Sequence, residues 1–138
     1  MWGSNKYKND PDVIQLRRKL KDVFQELRKE HGFIARMNYL CCSTCAGYAL
    51  WNQLEETVKK GRKRPEGITY WHRQDEDGLW DSGHIYLAYG GTVESDDTKI
   101  ELDATFKVGV TICKVLCKHG VKYQWSGDPT QRIKVKAW

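Results

Sequence analysis

Ala35-Arg36-Met37-Asn38-Tyr39-Leu40-Cys41-Cys42-Ser43-Thr44-Cys45-Ala46-Gly47 packs three of the chain's five cysteines into five positions, 41 to 45. Aromatic and branched residues near period two lead into it from Phe33 to Leu40 and predict a strand. Behind it, Ala46, Leu50, Leu54 and Val58 fall on one side of a helix expected from Ala46 to Lys60, with Trp51 at its edge and Gly61 as its stop. Cys42 and Cys45 are thereby expected at a strand-to-helix junction. Amide N–H groups and the helix dipole at such a junction favour a thiolate over a thiol.

On the N-terminal side, Asp10-Pro11 is a helix start, a capping side chain followed by proline at the first helical position. Val13, Leu16, Leu20, Val23, Phe24 and Leu27 then share one stripe at 100° per residue, and Gly32 supplies the end. On the C-terminal side, Gly67 to Asp75 and Gly83 to Gly90 both read as strands. Asp75-Glu76-Asp77-Gly78 signals a turn between them, and Leu79 to Ser82 extends it into a long hairpin loop. Thr92 to Lys99 is polar and without period, which predicts a surface loop.

Asp103 to His119 carries both periods. Phe106, Val110, Cys113 and Cys117 share a helical stripe, while Val108, Val110 and Ile112 alternate. Its length, Asp103 as a cap and His119-Gly120 as a stop favour a helix. Val121 to Trp125 and Arg132 to Trp138 form a closing hairpin around Ser126-Gly127-Asp128-Pro129. This order describes an α+β domain: a mixed or mostly antiparallel sheet of about five strands with about three helices packed on one face.

The 138 residues fit a single domain, 1–138, with 1–9 expected as a flexible N-terminal segment. No apolar run approaches the roughly eighteen residues of a membrane span, and the start lacks the apolar core of a signal peptide. A cytoplasmic location follows as the expectation, without membrane attachment. In a reducing compartment an odd number of cysteines points away from a disulfide framework and toward ligation, catalysis or burial. A formal charge of +5 names no partner by itself. Lys59, Lys60, Arg62, Lys63 and Arg64 are sharper, five cations in six positions. They suit either a solvated helix end or a contact with nucleic acid or another polyanion, with Lys6 and Lys8 nearby.

Three chemistries compete for the cysteine stretch. Cys42 and Cys45 form a C-x-x-C half-site for zinc, which His72 and Asp75 could complete. Alternatively, Cys42 or Cys45 is a nucleophile, His72 or His84 its base, and Asp75 the group that orients the imidazole. Arg36 would then hold an anionic substrate or pair with Asp75. Gly83 to Gly90 resembles the histidine strand of papain-like hydrolases, including small cell-wall peptidases. Thiol redox chemistry at Cys42-Ser43-Thr44-Cys45 ranks lower, because a thioredoxin-like protein would add a cis-proline and Pro65 and Pro129 lie in charged turns. Against all three stands plain burial, which suits Cys113 and Cys117.

Ala35-Arg36, Asn38, Cys41-Cys42 and Cys45, then His72 with Gln74-Asp75, Tyr89-Gly90, and Trp125 with Gly127-Asp128 before Ile133, resemble the blocks of a family of domains of unknown function from small bacterial and phage-associated proteins. The similarity spans about Phe33 to Lys136 and leaves the first helix outside. It departs at Arg73, where glutamine is usual, and at Ala46, where glycine is usual. The resemblance supplies no activity, but it implies that Arg36, the cysteine cluster, His72 and Asp75 belong to one site. The leading expectation is a binding or accessory module with a protein partner, built around a Cys/His site holding zinc. A cysteine hydrolase or transferase is the alternative, and polyanion binding through residues 59–64 is the third.

Overall fold

A computed structural model describes residues 5–41 and 43–138. Helix α1 (Pro11–His31) begins where Asp10 accepts hydrogen bonds from the Asp12 and Val13 amides, and ends at Gly32, whose left-handed backbone (φ 66°) returns its N–H to the Leu27 carbonyl. Its stripe from Val13 to Leu27 is buried as the period predicts. Strand β1 (Ile34–Arg36) is shorter than expected. Asn38 and Leu40 adopt positive φ angles, which no strand accommodates. The segment still runs beside the next strand, the Tyr39 amide donating to the Trp71 carbonyl and the Arg73 amide to that of Leu40.

The remaining elements are α2 (Ser43–Lys59), β2 (Gly67–Tyr70), α3 (Arg73–Ser82), β3 (His84–Gly91), α4 (Thr98–Lys118), β4 (Lys122–Gln124) and β5 (Ile133–Lys136). The sheet has the order β1-β2-β3-β5-β4. β1 and β2 are parallel and the other pairs antiparallel. The α+β class and the mixed five-stranded sheet are therefore those expected, and the closing hairpin is β4 against β5.

Helices cover both faces, not one. Phe33, Ala35, Ile85, Leu87, Ile133 and Val135 share a core with the α1 stripe and with Val108, Ile112, Val115 and Leu116 of α4. Ile34 points the other way, into a second cluster with Leu50 and Leu54 of α2, joined by Ile68 and Tyr70. The reason is topological. Two parallel neighbours need a crossover, and the crossover helix must lie on a face.

Three local expectations are corrected. Residues 75–82 are not a hairpin loop but part of helix α3, which brings the helices among the described residues to four. His72 caps it, its side chain accepting from the Asp75 amide while Asp75 accepts from the His72 amide, and Gly83 (φ 81°) closes it. Such a reciprocal capping box outweighs the turn signal of Asp75 to Gly78. Second, α4 begins at Thr98 with Asp97 as its cap, so only residues 92–97 remain loop. Third, the stripe of α4 is rotated from the one expected. Val108, Ile112, Cys113, Val115 and Leu116 are buried, whereas Phe106 and Cys117 are exposed; Val58 of α2 is exposed as well. Gly91 lets α4 approach the sheet, since a Cβ there would lie 2.7 Å from that of Ala104 and 2.9 Å from its backbone carbon.

Candidate functional site

Helices α2 and α3 both start at the carboxyl ends of the parallel strands β1 and β2, and most of the expected site residues fall there. Cys42 lies outside the described residues. Cys45 is exposed in the first turn of α2. Arg36 ends β1, exposed, with its guanidinium 5.9 Å from the centre of the Tyr39 ring.

His72 is buried and belongs to the start of α3 instead of to a strand. Its Nδ1 accepts the Asp75 N–H at 3.3 Å, and its Nε2 stands 3.2 Å from Asp75 Oδ2. The Asp75 N–H thus occupies the Nδ1 lone pair, and the Asp75 carboxylate lies beside Nε2. To ligate a metal or take a proton from a thiol, the ring would have to turn out of the cap. Asp75 Oδ2 also lies 3.7 Å from Arg132 Nη1, an arginine that the sequence reading had not placed at this site. Among the described residues no group of three His, Cys, Asp or Glu side chains is placed to hold a metal ion.

His84, the other candidate base, opens β3 half-buried, its ring at nearly right angles to Tyr86 with centroids 5.6 Å apart. Burial, and after it the charge of Lys134, hold its imidazole below the usual 6.5. Lys134 is near because Tyr86 pairs with Lys134 and His84 with Lys136 across β3 and β5. Farther over, Lys136 pairs with Lys122 and Lys134 with Gln124. Directly paired residues share a face. Ile85, Leu87, Ile133 and Val135 fill the core on one side, so His84, Tyr86, Lys134, Lys136, Lys122 and Gln124 stand together on the other. Among the described residues, helix α2 packs on that side over β1 and β2, through Ile34 and Ile68. Over β3, β5 and β4, Tyr86, Lys122 and Gln124 remain exposed, as does Arg132 at the head of β5. Single-sequence reading missed this surface, because the lysines lie in separate strands and only the pairing register aligns them.

The basic run separates into two parts. Lys59, Lys60, Arg62 and Lys63 are exposed. Arg64 is a latch: its Nε donates to the Thr92 carbonyl at 2.6 Å and its Nη1 meets Glu94 at 3.4 Å. Its Nη2 is buried without a hydrogen-bond partner in the described structure. Arg64 also lines a cavity of about 430 Å³ with Phe33, Pro65, Lys107 and Val108.

A further buried polar centre was not foreseen. Glu76, only 8% exposed, accepts from Arg17 Nε at 3.1 Å to each oxygen, from Trp71 Nε1 at 3.2 Å and from Trp80 Nε1 at 3.1 Å. Four contacts on one carboxylate satisfy it fully, which marks a structural tie between α1 and α3. An aspartate-rich turn reading hid it, since a charged residue in a loop carries no burial signal.

No helix among the described residues is long and apolar enough to cross a membrane. No curated protein and no solved structure matches the chain. Residues 7–138 match a family of domains, and the matched region takes in α1, which the sequence resemblance had left outside. The chain belongs to the family described as the domain of unknown function DUF6891.

Proposed function

We propose that the chain is a binding module for an anionic macromolecule, which docks on the uncovered half of the sheet. One observation carries the reading: β3, β4 and β5 contain no Asp or Glu, while Lys122, Lys134 and Lys136 line up on their open side with Arg132 beside them. Like charges set in adjacent rows repel one another, and an anion laid across them relieves that repulsion. The use of His72 Nδ1 in the α3 cap, with the Asp75 carboxylate beside Nε2, also favours binding over proton transfer at the sheet end. Heparin, a flexible polyanion without bases, tests the proposal. Its affinity should fall and the logarithmic salt slope flatten when Lys122, Lys134 and Lys136 are all changed to Gln. The same exchange at Lys59, Lys60, Arg62 and Lys63 should do less. Equal loss from both sets, or none from the first, defeats the proposal.

A second reading rests on Cys45, exposed in the first turn of α2, where the helix dipole favours thiolate. A thiol catalyst requires this sulfur to react with iodoacetamide near neutral pH. A reactivity profile centred near pH 8.5, that of an ordinary thiol, excludes it.

A further inference from the structure

Building on the binding reading above, we infer that the anionic partner is single-stranded nucleic acid, its phosphates laid along Lys122, Lys134, Lys136 and Arg132 and a base stacked on Tyr86. The lysines alone would suit any polyanion. Tyr86 narrows the class. It is 40% exposed at the third position of β3, paired with Lys134 of β5, and the cations lie across and beyond it instead of in a cluster of their own. The ring stands close to His84 at an interplanar angle of 85°, which restrains it before any ligand arrives. His84, with its protonation disfavoured by burial and by Lys134, presents an uncharged aromatic ring next to the track at neutral pH.

Geometry argues for one strand and not two. Lys134 and Lys136 are two residues apart on β5, hence about 7 Å along the strand, and the rows from β3 to β4 span about 10 Å across. This platform is nearly flat and small. A duplex keeps its bases stacked inside and would offer Tyr86 only sugar and phosphate, whereas an unpaired strand can turn bases onto the sheet while its phosphates follow the lysines. Sheets with surface aromatics hold two or three bases in this manner, which fits the area available. An acidic protein would meet the lysines but leave the aromatic pair unused. No carboxylate lies within these strands to repel phosphate. At the border, Asp75 is engaged with His72 and Arg132, and Asp12, which lines a cavity with Lys122 and Lys136, accepts the Trp138 indole N–H.

The test uses the full chain and fluorescence anisotropy of labelled ten-nucleotide oligo(dT) and oligo(U), against a duplex of equal length and heparin. Single strands should bind at least about tenfold more tightly than the duplex. Tyr86→Ala should weaken single-strand binding by about tenfold, the scale of one lost base stack, and leave the salt slope and the heparin affinity unchanged. Lys134→Gln with Lys136→Gln should reduce the slope by about 1.4, roughly 0.7 per lost phosphate contact. Tyr86→Phe should bind as the parent does, and Tyr86→Thr, a strand former without a ring, repeats the test if the alanine chain folds poorly. Equal binding of heparin and oligonucleotides, indifferent to Tyr86, overturns this inference and leaves the polyanion proposal standing. No binding of any polyanion overturns both.

Discussion

Glu76 shows how one buried side chain ties two elements through chemistry that the hydrophobic pattern does not report. Its carboxylate takes Arg17 and two indole N–H groups at once, and the same guanidinium lies 5.2 Å from the Trp71 ring centre. Glu76→Gln keeps the shape but removes the charge and turns an amide donor toward one of the donors. A loss of about 2 kcal/mol is expected, less than for a fully buried ion pair because Arg17 is partly exposed; urea unfolding followed by tryptophan fluorescence measures it. His84 governs a pH effect. Its pKa is lowered in the fold, so below the ordinary 6.5 the unfolded chain takes up a proton that the folded chain resists. The stabilisation is complete above that value and is lost as pH falls through the lowered one. Between about pH 7 and 5 the urea midpoint should decline less in His84→Gln than in the parent; parallel curves would show that His84 does not contribute.

At the scale of elements, α3 is the most consequential departure from the sequence reading. Asp75, Glu76, Asp77 and Gly78 have the composition of a turn, yet Asp75 is the N3 partner of a cap and Glu76 and Leu79 are one turn apart on the buried side. A histidine cap is unusual, so the role of His72 can be separated from any chemistry it is given. His72→Ala should cost about 1 kcal/mol, the ordinary value of a lost N-cap, and His72→Asn or Ser should restore most of it. Thermal unfolding monitored by circular dichroism tests this, and failure of both polar replacements would mean that the ring itself is required. Asp75 of the same cap lies 3.7 Å from Arg132, which joins the sheet-end site to the head of β5.

For the whole molecule, α1 is integral. Six of its side chains from Val13 to Leu27 are buried in the main core, Arg28 donates to the Ala35 carbonyl at 2.7 Å, and Arg17 reaches Glu76. The family match from residue 7 agrees with this. A chain beginning at Phe33 exposes the underside of β1, Trp71 and α4, and should show no cooperative thermal transition; a sharp transition would mean that residues 33–138 form a core without α1.

The sequence by itself determined the pieces whose signal is local: the two ends of α1, its buried stripe, the helix after the cysteines, the closing hairpin and the α+β class. Periodicity and capping depend on neighbours within a few residues, so they are visible in one dimension. Only tertiary structure decided which signals prevailed where they conflicted. It made α3 from a turn-like stretch, because Leu79 and Glu76 had a core and two tryptophans to meet, and it rotated the stripe of α4 so that Cys113 was buried and Cys117 was not. It also divided the lysines. Lys59, Lys60 and Lys63 look alike in sequence to Lys122, Lys134 and Lys136, yet the former lie in solvent at and just beyond the end of a helix while strand register brings the latter onto one open face. Register is a long-range property, set by which hydrophobic side chains share the core, and no short window of sequence contains it.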